Sequence, residues 1–109
     1  MKKLLVFILS LTLVLALSAC GGSDDEVTFE IGLVTDLGGI DDKSFNQGTW
    51  EGVLDFAEEF DLPEGNFRYL QSASDADYLP NISAFADEEL DLIIMPGFLF
   101  EASLIEAAA

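Results

Sequence analysis

Three carboxylates, two glycines, an aromatic and an amide fall within one short stretch, Asp36-Leu-Gly-Gly-Ile-Asp-Asp-Lys-Ser-Phe-Asn46. Asp36, Asp41 and Asp42 are acceptors suited to sugar hydroxyls or to the N–H groups of a heterocycle. Phe45 can stack on a flat ring, an arrangement that adds about 0.5–1.5 kcal/mol beyond area burial. Asn46 can donate and accept at once along a polar edge. Gly38 and Gly39 let the backbone turn tightly and approach a ligand closely. The mixture suits a neutral, polar, flat molecule. Plainer roles stand beside these: the glycines as a mere turn, Asp41 and Asp42 as favourable charge at a helix start, Phe45 as a core residue. Trp50 reads as core.

Other chemistries fit less well. Glycines ahead of a helix can cradle an anion, but neither G-x-G-x-x-G nor G-x-x-x-x-G-K-[ST] is present. Two like charges about 4 Å apart repel by about 4 kcal/mol at an effective dielectric of 20, so three carboxylates disfavour a phosphate. A calcium loop needs D-x-[DN]-x-[DN]-G, which the spacing does not give, and the chain has no histidine. No metal or cofactor is expected. With no histidine, Cys20 as the single thiol and no Ser–base pair at readable spacing, an enzyme is not expected either.

The elements that position this loop alternate. Residues 27–35 end in a nearly continuous apolar run, as a strand buried on both faces would. Residues 44–60 read as a helix in which Ser44 and Gln47 have capping-box spacing, and Trp50, Val53, Leu54 and Ala57 form one apolar stripe. Pro63 and Gly65 stop it. Residues 67–71 are a short second strand. Asp75-Ala-Asp77 opens a second helix with Pro80 in its first turn, and Leu79, Ile82 and Ala86 form its inward face. Residues 92–95 are a third strand, broken by Pro96-Gly97, and residues 98–109 a third helix. This is an α/β pattern with a parallel three-stranded sheet. The loops after the strands, at 36–43, 71–74 and 96–98, should share one edge and line one rim of a cleft. A lone βαβαβα unit leaves a sheet edge and a helix face uncovered; residues 27–109 are therefore expected to be part of a larger fold.

The first 20 residues read as an export signal. Lys2 and Lys3 precede a 14-residue apolar run, residues 4–17; at 1.5 Å per residue it spans about 21 Å, short of a bilayer core of about 30 Å. Leu17-Ser-Ala-Cys-Gly21 resembles the bacterial lipobox, in which the cysteine becomes residue one and carries lipid. Residues 1–19 are thus expected to be a lipoprotein signal peptide, Cys20 the lipidation site, and residues 20–26 a flexible acidic tether. From Cys20 onward Lys43 and Arg68 face all 21 acids, a net charge of −19. That field repels nucleic acid and anionic lipid head groups.

Val34-Thr-Asp-Leu-Gly-Gly-Ile-Asp-Asp-Lys-Ser-Phe-Asn-Gln47, followed by Trp50-Glu-Gly52, resembles the signature of the basic membrane protein family. Its members are substrate-binding lipoproteins of ABC transporters, including purine nucleoside receptors. The similarity continues through residues 78–87 and 91–100. It implies a Rossmann-like half-lobe of a bilobed periplasmic-binding-protein-like fold, truncated here, since family members run to roughly three times this length. By position Phe45 resembles the first-lobe residue that stacks on the base, Asp36 and Asp42 acids of the ligand loop, and Asn46 a group that bonds the base or orders the helix start. Gly97 and Phe98 lie in a loop that approaches the ligand in this family. The resemblance implies a lipid-anchored extracytoplasmic receptor that passes a nucleoside to an ABC permease and ATPase. Alternatives are a surface lipoprotein or sensor of the same fold without a transport role, and a truncated non-functional fragment. Half a clamp is expected to bind weakly or not at all.

Overall fold

The computed structural model describes residues 28–109; the expected signal peptide (residues 1–19), the expected lipidation site Cys20, the expected tether (residues 20–26) and Val27 lie outside the described residues. In chain order follow β1 (Ile31–Val34), α1 (Phe45–Glu59), β2 (Phe67–Leu70), α2 (Tyr78–Asp87), β3 (Leu92–Ile94) and α3 (Glu101–Ala107). Short 3₁₀ turns at Glu64–Asn66, Asp75–Asp77 and Phe98–Phe100 lead into β2, α2 and α3. The three strands are parallel in the order β2-β1-β3. In register, Leu33 lies opposite Tyr69 on one side and Ile94 on the other. The architecture is the expected α/β, Rossmann-like half-lobe.

β1 is central and buried at every position, which explains its continuous apolar run. Its alternating side chains feed two cores. On one face Val34 packs with Tyr78, Ile82 and Phe85 of α2 and with Phe100. On the other, Ile31 packs with Val53 and Ala57 of α1 and with Leu62, while Trp50, Phe67 and Ile94 border them.

Two sequence expectations shift in phase. Leu54 was expected in the inward stripe of α1 but is exposed; α1 meets the sheet along a narrow line through Trp50, Val53 and Ala57. In α2 the inward face is Tyr78, Ile82 and Phe85, whereas Leu79 is half-buried and Ala86 exposed. Turning the helix to bury two aromatics removes more apolar surface from water than burying Leu79 and Ala86 would.

The helix ends also differ from expectation. α1 is stopped by Asp61, in the left-handed region at φ 51°, and not by Pro63 or Gly65. Asp61 N–H donates to the Glu58 carbonyl and Leu62 N–H to the Ala57 carbonyl, the paired bonds of a Schellman ending. α2 repeats the device: Glu89 has φ 58°, its N–H donates to Ala86, and Leu90 N–H donates to Phe85. Leu62 and Leu90 then pack into the two cores beside Ala57 and Phe85. That apolar anchoring offsets the left-handed backbone of a non-glycine residue.

Beyond the stripe of α1, an apolar groove of about 330 Å³ opens over β3, lined by Phe29, Ile31, Val53, Phe56, Leu92 and Ile94. Gly32 of β1 faces α2 at such close range that a Cβ there would come within 2.6 Å of the Phe85 ring and 2.7 Å of Leu90. Neither neighbour can retreat without disturbing the larger core. Gly32→Ala is therefore expected to cost about 1–3 kcal/mol by overpacking, read as a lower midpoint in urea unfolding with an unchanged slope.

Candidate functional site

With β2 and β3 on opposite sides of β1, the chain reverses its winding at the carboxyl edge between β1 and β3. Open α/β sheets hold their ligands in the crevice at such a switch point. Two loops flank it: residues 35–44 after β1 and residues 95–97 after β3. The sequence-predicted residues Asp36, Asp42, Phe45 and Asn46 belong to the first loop and the start of α1. Gly97 belongs to the second, and Phe98 opens the 3₁₀ turn that follows it.

Asn46 organises the first loop. It is fully buried, and its side chain is used at both ends. Nδ2 donates to Asp36 Oδ1 at 2.6 Å and to Asp42 Oδ2 at 3.1 Å, while Oδ1 accepts from the Asp36 backbone N–H at 3.4 Å. Both amide hydrogens are thereby committed. Of the two roles open to Asn46 from sequence, the geometry gives it the ordering of the helix start.

Asp42 is similarly occupied. Its Oδ1 accepts from the backbone N–H groups of Ser44 and Gln47, and its Oδ2 from the Asn46 backbone and side chain. It caps α1, which corrects the expected Ser44–Gln47 box: the Ser44 side chain makes no cap bond, and Gln47 accepts from Lys43 N–H. An Asp two residues ahead of the N-cap Ser44 was the available sequence signal, because its carboxylate reaches the i+2 amide. Partial burial alone pushes the Asp42 carboxyl up, but the Gln47, Ser44 and Asn46 amides together hold it below the usual value.

Asp36 remains available. Its Oδ1 accepts from Gly38 N–H at 2.9 Å and from Asn46; Oδ2 takes no hydrogen bond among the described residues. One oxygen is fixed and the other is left as an acceptor. Gly38 has a steric reason as well, since a Cβ there would come within 3.0 Å of Asp42 and 3.1 Å of Asp36. Asp41 is exposed.

The aromatics resolve an open alternative. Phe45 is 67% exposed and Phe98 83% exposed, so neither is a core residue. Phe98 follows Gly97, whose φ of 109° and ψ of 169° lie in a region essentially reserved for glycine. Two bare phenylalanines thus stand on the two loops that flank the switch point. Singly exposed apolar side chains are ordinary, so it is their place beside the switch point, and not exposure by itself, that makes these two candidates. Trp50, by contrast, packs edge-on against Tyr69 with ring centroids 5.0 Å apart.

The remaining loop, after β2, braces the first. Gln71 Oε1 accepts from Ile40 N–H at 2.8 Å, and Thr35 Oγ1 accepts from Ser72 N–H at 3.3 Å. Sequence reasoning had placed all three loops on one edge, and these bonds join the first two.

Residues 29–109 match the family model described as ABC transporter substrate-binding protein PnrA-like. The chain belongs to this family of substrate-binding proteins. It is 37% identical over 123 aligned residues to the CD4+ T-cell-stimulating antigen of Listeria monocytogenes, covering 99% of this chain and 34% of that protein. It is 30% identical to the ABC transporter nucleoside-binding protein BmpA of Lactococcus lactis, with coverage of 99% and 34%. It is 34% identical to basic membrane protein A of Borreliella burgdorferi, with coverage of 92% and 28%. The chain thus spans about a third of the length of these relatives.

Because the Asp42 carboxyl is depressed only in the folded state, its contribution to stability is fully present above the ordinary value of 3.8 and is lost as pH falls through the lower folded value. Asp42→Ala is expected to lower the melting temperature at pH 7 by about 4–8 °C, the effect of losing one helix cap in a domain of this size. The gap to wild type should close below pH 3, which thermal melts followed by circular dichroism would read.

Proposed function

We propose that the chain supplies one wall of a nucleoside-binding cleft in a lipid-anchored, extracytoplasmic receptor that delivers its ligand to an ABC permease and ATPase. The observation that carries this reading is the pairing of an oriented carboxylate, Asp36, with the bare ring of Phe45 nine residues on. A nucleoside asks for both: a flat base to stack on and hydroxyl or N–H donors to bind. Membership of a substrate-binding family and the printed name of the Lactococcus lactis relative support the ligand class. Phe45 and Phe98 are the stacking candidates, Asp36 the acceptor, and Gly97 the turn that presents Phe98. Asp42 and Asn46 hold Asp36 in place. Binding, with no bond made or broken, is the role.

A single wall buries one side of a ligand, whereas a complete site buries most of its surface. Residues 21–109 are accordingly expected to bind purine nucleosides no more tightly than about 1 mM. A titration with inosine, adenosine, guanosine and uridine, followed by shifts of the amide NMR signals of residues 36–46, would measure this. Phe45→Ala should weaken the response about 2–10-fold, the worth of one stacking contact, and Asp36→Ala about 10-fold or more. Equal responses in wild type and both variants would remove the assignment. Anchoring through Cys20 predicts that Cys20→Ser abolishes incorporation of labelled palmitate in the bacterial host and releases the protein from the membrane fraction; retention and labelling of the variant would refute it.

A further inference from the structure

Tyr78, the first residue of α2, carries a hydroxyl that the site so far leaves unused. The residue is 3% exposed and its hydroxyl oxygen is buried without a hydrogen-bond partner. Unpaired buried hydroxyls are uncommon, and each calls for an explanation. This one lies under the first loop, close enough to feel the Asp36 carboxylate and the Leu37 amide, though neither meets hydrogen-bond geometry with it. Burial, and then the Asp36 charge, push the phenol above its usual range, so it keeps its proton and is a donor at neutral pH. The ring below it stacks on Phe100, with centroids 4.5 Å apart, and Phe100 closes the turn that begins with Phe98. One side chain therefore touches the base of both loops that flank the switch point.

The geometry points to Tyr78 as a positioning residue: its hydroxyl is the donor that fixes the Asp36 carboxylate when the first loop engages a ligand. Both bonds that Asp36 accepts fall on Oδ1, so its other oxygen can be turned by a donor from beneath. The loop that carries it has room to shift, since Leu37, Gly38 and Asp41 are exposed. A ligand that draws Asp36 toward the hydroxyl supplies the gain that brings the two together. Part of the ligand affinity then comes from satisfying a group that the free protein leaves unpaired. This rests on the nucleoside-wall reading above.

The test uses Tyr78→Phe, which keeps the ring against Phe100 and deletes only the oxygen. Inosine is titrated into wild type, Tyr78→Phe, Asp36→Asn and the double variant of residues 21–109, and the initial slope of the Asn46 side-chain NMR shift is read, with melting temperatures measured in parallel. Tyr78→Phe is expected to melt no lower than wild type, because a stranded hydroxyl is removed without a change of shape, yet to lose about tenfold in apparent affinity. In the Asp36→Asn background the same change should have no further effect. Unchanged affinity in Tyr78→Phe, with wild type responding, would overturn the proposal and leave the binding reading standing. So would an equal loss in the Asp36→Asn background, or a melting temperature several degrees lower, which would assign the hydroxyl a structural bond. A wild type that gives no response to inosine would overturn this proposal alone, since weak or absent binding is already expected of a single wall.

Discussion

Everything at the candidate site hangs from one buried amide. Asn46 lies at the second position of α1 and bridges the carboxylates of Asp36 and Asp42 through its two N–H hydrogens. Two like charges drawn to one point would repel each other; two amide donors between them convert the repulsion into a pair of charge-assisted bonds. Asp42 in turn accepts the first free N–H groups of α1, so the helix start and the ligand loop are built from the same contacts. Because the Asn46 side chain is wholly buried, it fixes Oδ1 of Asp36 and the cap made by Asp42, while Asp36 Oδ2 stays free. The exposed elements, the Asp36 Oδ2 and the Phe45 ring, inherit that order without having to supply it.

The sheet explains why such a brace is needed at that place. With β1 in the centre and β2 and β3 on either side, the loops after β1 and β3 diverge toward opposite faces and leave an open crevice at the carboxyl edge. Crevices of this kind expose backbone that must be satisfied locally. The bonds from Ile40 to Gln71 and from Ser72 to Thr35 do so between the first two loops, while Gly97 turns the third outward. Rigid core below and ordered polar loop above is the usual division between scaffold and site. Here it is reached with a central strand of only four residues.

Much of this was legible in the sequence because it is periodic. The three apolar runs, the spacing of Val53 and Ala57, and the breaks at Pro96-Gly97 each carry a local signature, and the loop chemistry stood out for its density of carboxylates. What escaped depends on partners distant in sequence or on phase. Ser44 and Gln47 have the right spacing for a cap, but Asp42, two residues before Ser44, has the stronger acceptor and takes the Gln47 amide instead. Leu79 and Ala86 compete with Tyr78 and Phe85 for one inward face, and only the three-dimensional core decides between two helical phases that differ by about one residue. Asp61 and Glu89 end helices in a conformation that favours glycine, a choice set by the burial of Leu62 and Leu90. The Tyr78 hydroxyl has no sequence signature, since a buried tyrosine reads as an apolar residue until its oxygen is located.

Charge narrows the ligand further. From Cys20 onward the chain carries two cations against 21 acids, and both cations are placed. Arg68 is held by Glu30 and Glu88, its guanidinium 5.7 Å from the centre of the Phe85 ring; the hydrogen bond to Glu88, more than any other contact, keeps it charged. Lys43 lines a separate polar groove with Ser44, Gln47, Gly48 and Glu51. A phosphate at the switch point would therefore meet the three carboxylates of the first loop against a single lysine. A neutral ring bearing hydroxyl or N–H donors meets the opposite situation, since every charge it encounters is an acceptor and the neighbouring surface is aromatic. The sign of the site thus disfavours a phosphate-bearing ligand.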